Sequence, residues 1–349
     1  SKALAWTIFL CFAVIGFFPI IMYLIDPQMD FLFMGSKFLD FKNGQGPYGV
    51  GAMLLSLIIP LGGGIALSLY YHSVTKKHIE VRNELEKLEK EFSGALFLLG
   101  NKVEDGIPVE IALTKIADTM EETATGNFFR KVSVNLQKLG MSLHEAIFDP
   151  AVGAIRDYPS ALIESSMKVL VEGARKGSKI VAKSMITISS YVEKVRKVNE
   201  RLNDLLSDVI SSMRSQITFL TPVIAGIVVG VSSMVVVIIN RLSEQFSTLE
   251  QASELGGLAG IANIIRIQDV IPGFQFQLVV GIYVLEITLI LIFLANSIER
   301  GVDPVYTRYD VGKTLAKSMG LYFIVSFFGI ILFNVLASAV TVAAASTGA

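Results

Sequence analysis

Cysteine occurs once, as Cys11 inside an apolar run, which excludes disulfides and any Cys-rich metal site. Histidine is nearly as scarce. His72, His78 and His144 have no Cys or acidic partner at ligand spacing, so they read as surface or interface residues and no metal or cofactor is expected. Charge is short as well: Asp, Glu, Lys and Arg make up 17% of the 349 residues, against roughly 25% in soluble proteins. That deficit excludes a single soluble globule, and a hydrophobic content of 52% excludes a disordered chain. There is no basic excess either. With 30 Lys and Arg against 31 Asp and Glu, nothing points to nucleic acid.

What charge there is lies in one place. Residues 72–216 hold 41 of the 61 charged side chains, and the other 204 residues hold 20. One segment is built for water and the rest for an apolar solvent. The apolar part resolves into five spans, 3–25, 49–71, 217–240, 274–298 and 319–345. Each exceeds the ~20 residues that cross a ~30 Å hydrocarbon layer at 1.5 Å per residue. The first is too long for a signal peptide and has no Ala-x-Ala site after it, so it reads as an anchor.

Placement of Lys and Arg predicts orientation. The loops 26–48 and 241–273 carry two basic residues each, whereas 299–318 carries four and 72–216 carries 21. The N-terminus and residues 72–216 are therefore expected in the cytoplasm, and the C-terminus outside. The expected domains are 1–71 (two spans), 72–216 (cytoplasmic) and 217–349 (three spans). Part of the outer loop, Leu255–Pro272, is too short and polar to span and is expected to be an interfacial helix.

Nothing in 72–216 alternates with period two, and Gly and Pro punctuate helical blocks at about 76–100, 108–122, 126–139, 142–149, 159–175 and 178–216. Val81, Leu85, Leu88, Phe92, Ala95 and Leu99 form one heptad stripe. Ile188, Tyr191, Val195, Val198, Leu202, Leu205 and Val209 form another. Such stripes suit a helix–helix seam, so the stalk helices 76–100 and 178–216 are expected to pair antiparallel. The fold class is an all-α membrane protein, with five transmembrane helices and a cytoplasmic antiparallel helical bundle. From Ser178 to Asn240 the only strong breakers are Pro222, Gly226 and Gly230, which predicts one rod of ~95 Å bent at Pro222. Gly226 and Gly230 permit close helix approach, within the chain or between two copies. Gly62-Gly63-Gly64, after Pro60, predicts a flexible or kinked second span.

One short pattern occurs twice, at Gly106-Ile-Pro-Val-Glu-Ile-Ala-Leu113 and Gly140-Met-Ser-Leu-His-Glu-Ala-Ile147. In each, Gly suits the left-handed close of the preceding helix. Pro108 suits a first helical turn, and Ser142 with Glu145 a capping box. With "GNFFRKVSVNLQKLGMSLHEAI" and "YPSALIESSMKVLVEGARKG" on a membrane-flanked helical segment, the chain resembles the F-domain family of type II secretion and type IV pilus assembly. It is most similar there to archaeal pilus and archaellum platform proteins. The resemblance covers about 90–240 well and the last two spans loosely. Family members often carry two such domains; the second is expected upstream of Ser1 or absent, as in a one-domain relative.

The resemblance implies a non-enzymatic platform in the cell membrane, joining a cytoplasmic hexameric assembly ATPase to pilin or archaellin subunits. It also implies a homodimer beneath a symmetric motor. For the ATPase contact, the candidates are the cations Arg175, Lys176 and Lys179, with the acids Glu104-Asp105 and Glu121-Glu122 nearby in the helical order. Catalytic chemistry is thin. Gly312-Lys313-Thr314 lacks the upstream Gly and strand of a phosphate-binding loop. Glu286 stands alone, thirteenth in a 25-residue span, where an acid costs about 2.5–3.5 kcal/mol. It faces the bundle and bonds Asn334, Thr288 or a Ser, or it docks pilin, or it serves an ion path. A transporter or channel rests on Glu286 alone and lacks a repeated half. A membrane-bound signalling adaptor has no motif in its favour.

Overall fold

Prolines divide this chain into its helices. The computed structural model describes residues 2–25, 32–33, 36–41, 46–252 and 271–347. Helix α1 (Lys2–Gly16) gives way to α2 (Phe18–Ile25) because Pro19 has no N–H for the Ile15 carbonyl, and the pair is bent by 56°. A two-residue antiparallel pair, β1 (Leu32–Phe33) with β2 (Ser36–Lys37), follows. Pro60 likewise denies a donor to Ser56, and there α3 (Val50–Ser56) meets α4 (Ile58–Glu104). Next come α5 (Val109–Thr119), α6 (Ala124–Lys138), α7 (Leu143–Phe148), a 3₁₀ turn (Ala154–Arg156), α8 (Ala161–Lys176) and α9 (Ser178–Ser215). Pro222 cannot donate to Thr218. The chain widens there into a π-turn, Gln216–Leu220, before α10 (Thr221–Ala252). Helices α11 (Gly273–Arg300) and α12 (Pro304–Thr347) complete the order.

Apart from the β1–β2 pair, the regular structure of the described residues is helical, and by the length and composition of its helices the chain is a multi-pass membrane protein. Among the described residues four stretches are long and apolar enough to cross: Val50–Glu104, Ser178–Asn240, Gly273–Arg300 and Pro304–Ala339. The bent pair α1–α2 makes a fifth if it counts as one span. The helix that carries the second span runs on past Tyr71: α4 continues unbroken to Glu104. The expected interfacial helix falls at 255–272, of which 255–270 lie outside the described residues.

Two compact units result, Ser1–Lys76 with Asp208–Ala349, and Lys77–Ser207. In the first, α10 packs along α12. A Cβ at Gly230 would lie 3.0–3.1 Å from Gly329 backbone, and one at Gly226 would strike Val325, so these glycines serve packing within the chain. Gly62 and Gly64 lie within α4 and let Phe12 and Met319 approach closely. The core holds Met53, Leu57, Val284, Leu315, Met319 and Tyr322.

The second unit surrounds Leu88, Phe92, Leu96, Leu99, Leu113, Phe128, Phe129 and Met167. Phe92 stacks on Phe129 with centroids 6.0 Å apart, and Phe128 meets both edge-on. Gly106 has φ +88°. Its N–H and that of Ile107 bond the carbonyls of Val103 (3.1 Å) and Lys102 (3.2 Å), which closes α4 as a Schellman turn. Pro108 stands one place outside α5, as its N-cap. Gly140, at φ +63°, follows α6, and Ser142 and Glu145 form a reciprocal capping box on α7.

The two stripes do not form one seam. In α4, Leu85, Leu88, Phe92, Ala95 and Leu99 are buried. In α9 Val181, Ala182, Met185 and Ser189 are buried near the start and Ile210 near the end, while Tyr191, Val195, Val198, Leu202, Leu205 and Val209 point outward. The inward face of α9 is thus rotated off most of its heptad stripe; Ile188, the first residue of that stripe, still packs against the core.

Candidate functional site

Glu286 stands on α11, held there by Val284 and Thr288, which are fully buried on the inner face. Glu286 itself is exposed, as are Ile282, Tyr283 and Ile290 around it. The partners expected for a bundle-facing acid are engaged elsewhere. Asn334 Nδ2 donates to Ser233 Oγ (3.1 Å) and to the Ile330 carbonyl (2.7 Å), and Thr288 lies 3.4 Å from Ser318 Oγ. Among the described residues no side chain bonds Glu286. The carboxylate therefore projects from the flank of the helix bundle, in the middle of a 28-residue apolar helix. The bundle-facing reading does not describe it.

The second feature lies wholly within residues 77–207. Ser189 Oγ donates to the Ser93 carbonyl (2.6 Å), and Gly100 abuts Ile186 and the Ala182 carbonyl. Moving up α4 moves down α9, so the two helices are antiparallel here. The end of α4 and the start of α9 consequently share one end of the unit. Glu104 and Asp105 therefore lie at the same end as Arg175, Lys176 and Lys179, and all five are exposed. Arg175 has only a 3.7 Å contact with Glu172, itself exposed, which leaves the cations available to a partner. Gly177 turns the chain between α8 and α9 with φ +116°.

A third feature is an apolar groove of about 470 Å³ between α1 and α4, lined by Trp6, Phe9, Gly63, Ala66, Leu67 and Tyr70. Elsewhere, the histidines take ordinary ring contacts: His72 stacks on Tyr309 at 6.0 Å and His144 meets Phe148 at 5.3 Å.

Three groups of polar residues escape a reading by pattern. Asn135 is buried and donates to the carbonyls of Ala146 (3.0 Å) and Val152 (2.9 Å), pinning α6 to the α7 turn. Gln277 sets its amide against the Met53 carbonyl (2.8 Å) and the Leu57 N–H (3.2 Å), at the break that Pro60 causes. Arg214 bonds Glu299 and Asp310 from the other two helices. The available signal was a polar residue on an otherwise apolar stripe, but only contact partners tell such a residue from surface decoration.

No protein-family model, curated protein or solved structure matches the chain.

Proposed function

We propose that the chain is a non-enzymatic membrane platform of a type IV filament assembly machine, which couples a cytoplasmic hexameric ATPase to the insertion of pilin or archaellin subunits. In this reading α1–α2 is one bent span, giving five, with the N-terminus and the helical unit cytoplasmic and the C-terminus outside. The observation that carries it is Glu286. A carboxylate in the middle of a span is costly unless it has a partner. Because this one faces away from the bundle core, a path through the interior does not use it. That counts against a transporter or channel. A partner helix arriving in the plane of the bilayer would use it, and a pilin helix, or its amino terminus, is such a partner.

The helical unit supports the cytoplasmic half of the proposal, since its cations and acids at one end form a charged surface for the ATPase. The exposed stripe of α9 supports the homodimer. Tyr191 is 67% and Leu205 78% exposed. At roughly 100 Å² apiece the six outward residues make about 600 Å², the upper end of what a monomer leaves open. Two such stripes meeting would cover about 1,200 Å², the range of specific interfaces.

Glu286→Gln and Glu286→Leu test the proposal. Both are expected to insert and fold normally, and to lower filament counts by tenfold or more. Normal filament counts with both would remove the docking role. A Leu variant that melts higher would show that only a desolvation cost had been relieved.

A further inference from the structure

A second site lies where three helices pass from charged to apolar sequence. The apolar run that leads through the π-turn into α10 begins at Ile217, that of α11 ends at Ile298, and that of α12 begins at Met319. At this level a pocket of about 220 Å³ is walled by Arg214 and Thr218, by Asn296 of α11, and by Lys313, Thr314 and Lys317 of α12. The π-turn shapes one wall, because the widened backbone ahead of Pro222 carries Thr218.

The charges are unequal. Asp310 lines the pocket too, but it and Glu299 both engage Arg214, Asp310 at 3.4 Å. Lys313 and Lys317, one helical turn apart, form no ion pair among the described residues. With Arg214 set against Asp310 and Glu299, the two unpaired lysines leave this group of five a net charge of +1. Asn296 adds a second demand. It is 2% exposed, its Nδ2 donates to the Ile292 carbonyl (3.1 Å), and its Oδ1 has no partner. A buried acceptor left open is costly, so a hydroxyl reaching it would be held. Just beyond Thr218, Phe219 and Leu220 are exposed and apolar.

We propose that this pocket binds the head group of an anionic phospholipid. The phosphate sits on Lys313 and Lys317, a head-group hydroxyl donates to Asn296 Oδ1, and acyl chains run past Phe219 and Leu220. Basic pockets between spans, near the head-group level, recognise such lipids by these means. A phosphate in solution offers the same anion without the chains. The inference needs only membrane insertion and stands apart from the filament reading.

The full-length protein, delipidated in detergent, would be titrated with phosphatidylglycerol or phosphatidylcholine, with retained lipid counted by native mass spectrometry. Wild type is expected to keep at least one phosphatidylglycerol and to prefer it tenfold or more. Lys313→Gln with Lys317→Gln is expected to lose that preference, while Lys313→Arg with Lys317→Arg keeps it. Equal retention of the two lipids, or unchanged retention by the Gln pair, would overturn the site. Inorganic phosphate raising the melting temperature as much as phosphatidylglycerol does would overturn the lipid as its source. Should the Gln pair misfold, Asn296→Leu decides. It is expected to abolish any preference for phosphatidylglycerol over phosphatidylmethanol, which lacks the hydroxyl, and a preserved preference would overturn the proposed contact.

Discussion

Glu145 shows how much one side chain can set locally. The Ser142 N–H bonds its carboxylate (3.0 Å), the Ser142 hydroxyl adds a second bond, and together they hold the carboxyl below its usual range. A depressed folded value means the contribution is present above the unfolded pKa and is lost as pH falls through the folded one. Glu145→Gln is therefore expected to melt lower than wild type at pH 7. The gap should close progressively below about pH 4.5, the ordinary glutamate range. Thermal melts of the two proteins from pH 7 to pH 3 check this; a constant gap would mean the cap does not depend on the charge. Glu286 is the counterpart at this scale. It is conspicuous in the sequence because nothing else in its span is charged, yet which way it faces is decided by the packing of Val284 and Thr288.

At the scale of elements, α9 is the instructive case. Its 3-4 spacing is plain, and the spacing alone suggests a seam with α4. The bond from Ser189 to Ser93 and the contact of Gly100 with Ala182 and Ile186 set another face inward, and the heptad is left outside. A stripe so regular suits a second copy of itself. Leu202→Glu with Leu205→Glu is expected to convert a dimer in detergent to a monomer while leaving helix content unchanged, as mass photometry and circular dichroism would read. A dimer that persists would place the interface elsewhere. The glycines differ again. Gly226-x-x-x-Gly230 was open between packing within the chain and packing between copies, and the nearness of Val325 and Gly329 assigns it to α12.

For the whole molecule, the proposed platform role requires that work done on the helical unit reach the spans. Helix runs from Ser178 to Asn240 with one π-turn at Gln216–Leu220. A helix that continuous can transmit motion. Inserting Gly-Gly-Ser-Gly after Arg201 is expected to preserve membrane insertion and ATPase binding but to abolish filaments. Near-normal assembly would show that force does not travel through α9. The contact that would drive it is tested by reversing Arg175, Lys176 and Lys179 to Glu. ATPase affinity should fall tenfold or more at low salt, the loss should shrink as salt rises, and the melting temperature should hold. Affinity unchanged at every salt concentration would sink the charged-turn contact.

Composition and period alone determine that this chain is helical and enters a membrane, because both follow from local quantities: apolar run length, charge spacing, and the missing N–H of proline. The Ser142–Glu145 cap and the turn at Gly106 are legible for the same reason, since each partner lies within a few residues of the other. Tertiary structure alone decides which face of α9 is inside, that Glu286 looks outward, and that Asn135, Gln277 and Asn296 are buried polar groups. It also brings Arg214, Asn296, Lys313 and Lys317 around one pocket, although they lie up to about a hundred residues apart. Those outcomes depend on which helix packs against which, and on how closely glycines such as Gly230 let them approach. No local period encodes that.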